Sequence, residues 1–294
     1  MNIERMKKDM DAICAFNRTP GNGHTRFSYS QQDRQAREYL QAEFDRLGLK
    51  TTVDGVGNIR ARLEGSEPNA AAVMVGSHID TVLHGGKFDG LLGTIAALEV
   101  VRTFKEQGLP HKHPIEIVIF SEEEGSNFGS PTTGSKFLVG RSSAETLHQL
   151  KTPNGTSMYD TVKAFGLNPD KAGEALLKKG DVKVMLEFHI EQSVVLESRK
   201  IPVGIVEAIA GMKGFEIVFE GVPNHAGATP MKLRHDALLA AAEVAIAVEK
   251  LALKSPYPDT VGTVGRMVCE PNVSNIIPGK VTFRLDARDV CDEG

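Results

Sequence analysis

The stretch Gly76-Ser77-His78-Ile79-Asp80-Thr81-Val82, followed by Gly85-Gly86-Lys87-Phe88-Asp89-Gly90, decides how this chain is read. It comes directly after Ala71-Ala72-Val73-Met74-Val75, a short apolar run that predicts a buried strand, and so it places an imidazole and carboxylates on glycine-rich turns at a strand end. Two later apolar runs end in the same way. Ile115 to Phe120 runs into Glu122-Glu123-Glu124-Gly125, and Val182 to Phe188 runs into His189-Ile190-Glu191-Gln192. Between the first two, Gly93 to Phe104 carries Ile95, Leu98, Val101 and Phe104 at helical spacing and predicts a crossover helix. The unit is therefore β-α-β, the fold class α/β with a mainly parallel sheet flanked by helices, and ligands in such sheets bind beyond the carboxyl ends of the strands. Every candidate ligand named above lies there.

Two helical patterns, Ile3 to Phe16 and Gln31 to Leu47, precede this unit, the second stopped by Gly48. Near Ala210 the pattern changes. Gly214 to Gly221 alternates, a helix is predicted from about Arg234 to Leu253, and Val281, Phe283, Leu285 and Ala287 alternate with Thr282, Arg284, Asp286 and Arg288. A half-exposed sheet covered by a helix makes a smaller α+β domain, so the expected division is a catalytic domain over 1–209 and a second domain over 210–294.

The 294 residues are 41% hydrophobic with a net charge of -4 and interspersed charges, which excludes a cationic stripe for nucleic acid or an anionic membrane. No apolar run approaches the roughly 18 residues of a membrane span, and the N-terminus has neither a long apolar core nor a small-residue cleavage site, so the expectation is a cytoplasmic protein with a small-molecule partner. Cys14, Cys269 and Cys291 are too scattered for a disulfide framework or a thiolate metal site.

A metal-dependent hydrolase needs ligands that hold the ion, an open position for water and a base for the water's proton. His78 and Asp80, two apart on an extended segment, point the same way, which makes His78 the ligand and Asp80 the group that orients it. Asp89, on its glycine turn, can bridge two cations. Three successive glutamates repel one another unless cations neutralise them, so one is expected as ligand and its neighbour as general base.

In this order, GSHIDTV with GGKFDG, SEEEGSNF, EFHIEQ, NHAGATPMKLRHDA and PNVSNIIPGKVTFRLDARD resemble the amidase, hydantoinase and carbamoylase branch of the M20 metallopeptidase family from about Thr25 onward. That branch contains N-carbamoyl-L-amino-acid hydrolases, allantoate amidohydrolases and β-ureidopropionases. The resemblance implies a zinc-peptidase-like catalytic domain with an inserted lid and dimerisation domain, hence a homodimer. It also implies two divalent ions per full-length subunit (zinc, manganese, cobalt or nickel) bridged by Asp89, one completed by His78 and His189 and the other held by Glu124, with Glu123 as base. Glu122 as base with Glu123 as ligand is the alternative. A cis peptide between Asp89 and Gly90 is implied as well. His225 would stabilise the oxyanion, and Gln192, Asn275 and Arg288 would hold the substrate's amide and carboxylate ends. The family's return from the lid, which brings a last histidine to the second metal, has no counterpart here, and Ser193 stands where relatives carry glycine. The substrate class implied is an N-carbamoyl-L-amino acid or similar ureido anion, with allantoate as rival. An aminopeptidase or dipeptidase of the wider family and an inactive truncated relative are the further alternatives.

Overall fold

The apolar runs of the first two-thirds of the chain assemble into one five-stranded sheet. The computed structural model describes residues 1–294, which divide into two compact units, Met1–Val195 and Leu196–Gly294. In the first unit, α1 (Ile3–Ala15) and α2 (Gln31–Arg46) lead into β1 (Lys50–Val53), β2 (Ile59–Leu63), β3 (Ala72–His78), α3 (Leu91–Gln107) and β4 (Ile115–Phe120). Short helices α4 (Thr133–Leu138), α5 (Ala144–Gln149) and α6 (Met158–Ala164) and a 3-10 segment Pro169–Ala175 precede β5 (Val182–Leu186), and α7 (Val195–Ser198) follows at the unit boundary.

The strand order is β1-β2-β4-β3-β5. Around the site β3 runs parallel to both β4 and β5, while β2 and β1 add an antiparallel margin, so the sheet as a whole is mixed. From β3 the chain crosses by α3 to β4 on one side, and it later returns to β5 on the other. That reversal is a topological switch point at the carboxyl end of β3, where such sheets bind ligands, and His78 is the last strand residue there. The crossover helix lies on the sheet through Ile95, Leu98 and Val101, each fully buried in the main core with Ile117 and Ile119 of β4. Side chains of this kind stabilise by about 1.5–3 kcal/mol each. The helix stops at Gly108, whose φ of 58° allows the left-handed cap.

Beneath the core, Arg102 of α3 is buried against three carboxylates. It bonds Asp9, meets Glu43 at 2.6 Å and lies 3.6 Å from Glu99, which also pairs with Arg5 at 2.8 Å. This network joins α1, α2 and α3 and so fixes the helical layer that carries the turn before α3.

The second unit contains β6 (Gly211–Glu220), β7 (Asn224–His225), α8 (Ala237–Leu253), β8 (Val261–Glu270), β9 (Ile276–Ile277) and β10 (Lys280–Asp289). An antiparallel sheet β6-β10-β8 buries Val281 and Phe283 against Ala237 and Ala241 of α8, and Arg284 lies exposed on the strand between them. Asp236 caps α8 by accepting from the amides of Leu238 and Leu239. The short ladder β7–β9 sets His225 opposite Ile276.

Candidate metal centre

Three elements deliver His78, Asp89 and His189. The carbonyl of His78 accepts from Thr94 Oγ1 on α3 at 3.1 Å, and the next carbonyl, of Ile79, accepts from the buried Arg26 guanidinium at 2.8 Å. Asp89 ends the turn before α3, with its carbonyl bonded to the Leu91 amide at 2.6 Å. The expected cis peptide after Asp89 is not found, since the one cis bond lies at Glu270–Pro271. The chain turns instead at Gly90, with φ 61° and ψ -47°. A Cβ on Gly90 would overlap the His78 imidazole, so the missing side chain is what lets the turn lie against the ligand. Gly93, one helical turn on, is packed equally closely against the Phe188 carbonyl, and this brings His189 alongside.

The three side chains converge. Asp89 Oδ1 is 3.1 Å from His189 Nε2 and 3.9 Å from His78 Nε2, the two rings stack 5.9 Å apart, and the three ligand atoms lie within 4.8 Å of one another. Each imidazole has its Nδ1 against a main-chain carbonyl: His78 against Asp80 at 3.0 Å, His189 against Ile190 at 2.8 Å. A carbonyl only accepts, so both rings carry a proton on Nδ1 and turn Nε2 toward Asp89 as the nitrogen left for an ion, an assignment made from the hydrogen bonding. Asp89 Oδ1 is itself buried, with His189 Nε2 at 3.1 Å, a contact that either a proton or an ion can bridge. Two imidazole nitrogens and a carboxylate oxygen aimed at one point call for positive charge, as protons or as a metal ion. A tetrahedral ion about 2.1 Å from each donor separates its ligands by roughly 3.4 Å, close to the spacings found, and a two-histidine, one-carboxylate set leaves the fourth position open.

The electrostatics agree. In the metal-free protein protons stand in for the ion. Burial disfavours a charged His78, but Asp80, Glu123 and Glu124 outweigh it and raise its pKa to about 9. His189 is raised by its bond to Asp89, and Asp89 is lowered by His189 and by Gln192. Burial, reinforced by Asp89, Asp80 and Glu123, pushes Glu124 up to about 7, and burial raises Glu123 as well.

The remaining expected residues fall as follows. Asp80 orients His78 chiefly through its main-chain carbonyl; its carboxylate Oδ1 sits 3.6 Å from Nδ1 and Oδ2 accepts from the Glu124 amide at 3.1 Å. Glu123 Oε2 stands 3.6 Å from His78 Nε2, at the half-open mouth of the triad. Glu124 Oε1 and Asp80 Oδ1 are buried without hydrogen-bond partners. Gln192, at φ 56°, donates to Asp89 Oδ2 at 2.7 Å. In the second unit, His225 Nδ1 accepts from the amides of Gly227 and Ala228 at 3.0 and 3.2 Å, so its proton sits on Nε2. Asn275 is its neighbour through the Ala226 amide, which donates to the Asn275 carbonyl at 2.9 Å. Arg288 lies at the far end of β10 with its fork on Asp286, at 2.7 and 3.0 Å.

Several supporting residues carry no sequence signal of their own. Arg26 is one. Arg37 and Asn58 hold Ser121, just before the glutamates, from its hydroxyl (2.8 Å) and its amide (3.0 Å). Asn127, by contrast, stands inside the SEEEGSNF motif and could have been suspected.

Residues 74–277 match the model of peptidase family M20/M25/M40. The chain belongs to that family. An N-carbamoyl-L-amino-acid amidohydrolase of Pseudomonas sp. (strain NS671) is 41% identical over 289 residues, 98% of this chain and 70% of the relative. A ureidoglycolate hydrolase of Oryza sativa subsp. japonica is 39% identical over 99% of this chain and 60% of its own length. Among solved structures, AtUAH in complex with (S)-hydroxyglycine superposes with a TM-score of 0.84 at 36% identity, covering 99% of this chain and 70% of that one. The chain thus spans 60–70% of the length of these relatives. Within the M20 family it falls in the hydantoinase and carbamoylase branch, a hydrolase of the amidohydrolase type with an α/β core and a smaller lid unit. No helix is long and apolar enough to cross a membrane.

Proposed function

We propose that the protein hydrolyses the carbamoyl or ureido C–N bond of an N-carbamoyl-L-amino acid or a similar small carboxylate. The observation that carries this reading is the pair of Nε2 atoms facing the buried Asp89 Oδ1, with each Nδ1 taken by a main-chain carbonyl. His78, Asp89 and His189 would hold one divalent ion, and Asp89 with Glu124 a second, with zinc, manganese, cobalt and nickel all compatible with imidazole and carboxylate donors. When bound, such ions polarise the scissile carbonyl and acidify water. Glu123, beside His78 and with its pKa raised by burial, takes the water's proton and passes it to the departing nitrogen. His225, protonated on Nε2, serves as the donor to the tetrahedral oxyanion. Gln192, Asn275 and Arg288 are assigned to the substrate's polar ends, and a guanidinium fork suits a carboxylate. Addition of one water to the carbamoyl group gives the free amino acid, ammonia and carbon dioxide.

The relatives support this substrate class: one is named for N-carbamoyl-L-amino acids and another for ureidoglycolate. Allantoate is the principal rival, because it too sets a carboxylate beside a ureido group. A homodimer through the second unit is proposed on the exposed apolar residues Leu251 and Leu253 of α8, and a cytoplasmic location on the composition. The deciding experiment measures ammonia release from N-carbamoyl-L-amino acids and allantoate, and free amino acid release from a dipeptide, by the metal-loaded protein. Release from the carbamoyl substrates supports the reading, and cleavage of the dipeptide alone refutes it.

A further inference from the structure

The chain offers three consecutive glutamates to a centre that uses two, and the first of them is built into the protein differently from the others. We infer that Glu122 is a positioning residue, which neither holds an ion nor moves a proton but pins the turn that presents Glu123 and Glu124. This rests on the metal-hydrolase reading above.

Glu122 is 0% exposed, and its backbone is left-handed at φ 49°, a conformation that a residue with a side chain keeps only when its surroundings impose it. The surroundings are a closed ring of three residues. The Glu122 amide donates to Ser28 Oγ at 2.8 Å, and the Asn127 amide donates to Glu122 Oε1 at 3.0 Å. Asn127 Nδ2 then donates to the Ser28 carbonyl at 2.6 Å and lies 3.4 Å from Glu122 Oε2. The Glu122 carbonyl is taken by the Thr133 amide at 3.1 Å, and that of Glu123 by Thr132 at 2.6 Å. The Glu122 carboxylate therefore faces the backbone of its own turn, closing the loop 122–127. Glu123 is the one that reaches His78, and the Glu124 amide is held by Asp80. Fixing φ at 122 and closing the turn at 127 sets where the two following carboxylates emerge. This also takes Glu122 out of contention as the base.

The test compares Glu122→Gln, Glu122→Ala and Asn127→Ala with the wild-type chain by kcat, KM, melting temperature and the visible spectrum of the cobalt-loaded protein, which reports the ligand set directly. Glutamine keeps an oxygen for the Asn127 amide. Glu122→Gln is expected to retain the cobalt spectrum and a kcat within about threefold of wild type. Glu122→Ala and Asn127→Ala are expected to lose more than tenfold in kcat at unchanged KM and to alter the spectrum. A thousandfold loss in Glu122→Gln with the spectrum intact would make Glu122 the base, and loss of bound cobalt in that variant would make it a ligand; either overturns the inference. So does a wild-type kcat and spectrum in a folded Asn127→Ala, which remains the decisive variant if Glu122→Ala does not fold. A wild-type chain that takes up no cobalt removes the metal-hydrolase reading itself, and this role with it.

Discussion

Replacing Gly90 by alanine should dismantle the metal centre with one methyl group. The added Cβ would overlap Cε1, Nε2 and Cδ2 of His78, and the residue would have to hold φ 61°. The conformational penalty is about 1–2 kcal/mol, and forcing a methyl into a packed site adds about 1–3 kcal/mol. To relieve the overlap the ring must move by roughly 1 Å, which is the scale of misplacement that abolishes a coordination bond about 2.1 Å long. His78 is only 2% exposed, held by Thr94 through its carbonyl and by Asp80 through Nδ1, so it has no adjacent space to enter. The expected result is a loss of at least hundredfold in affinity for cobalt or zinc by competitive chelator titration, with a fall of several degrees in melting temperature. Gly86→Ala, in the same glycine motif, is the control: nothing lies within 4 Å of its added Cβ and its φ is not positive, so affinity and stability should match wild type. Wild-type metal affinity in Gly90→Ala would show that His78 does not coordinate where it stands.

Metal uptake should depend on pH with a definite sign. His78 holds its proton up to about 9 and Glu124 up to about 7 in the metal-free protein, and these protons must leave when an ion binds. Apparent affinity should then rise by about tenfold per pH unit between about 7 and 9 and more steeply below about 7, and a flat profile by calorimetry would contradict it. Gln192→Ala removes the donor on Asp89 Oδ2 and should weaken metal binding by about tenfold without substrate present, whereas a residue serving substrate alone would leave the isotherm unchanged. Arg102→Ala leaves Asp9, Glu43 and Glu99 without their shared cation and should cost about 3–5 kcal/mol in urea unfolding. A loss below about 1 kcal/mol would show that Arg5 on Glu99 and Arg46 on Glu43 suffice.

The parts of this molecule that could be read from sequence are those set by local pattern. The apolar runs of β3 and β4 and the 3.6-residue spacing of α3 leave few alternatives, and their order places His78, the glutamates and His189 at one sheet edge. Strands β1 and β2 escaped that reading because Lys50–Val53 is largely exposed and Ile59–Leu63 is five residues long with two arginines; pairing in the sheet defines them, not periodicity. In the site, identical letters hid different surroundings. Nothing in Glu122-Glu123-Glu124 distinguishes them until φ 49° and the contacts of Ser28 and Asn127 turn the first one inward. Gln192 reads as a substrate ligand from its motif, yet its position is set by a residue 103 places away. The turn at Asp89 likewise depends on three-dimensional fit, since Gly90 with positive φ resolves by packing on His78 what a cis bond was expected to resolve.

X-ray absorption at the metal edge of the protein loaded with one equivalent of zinc tests the centre most directly. The expected spectrum shows nitrogen and oxygen neighbours at about 2.0–2.2 Å with outer-shell scattering from two imidazoles, falling to one in His189→Ala. An ion bound without imidazole scattering, or no ion retained at all, would contradict the convergence of His78, Asp89 and His189 on a single cation.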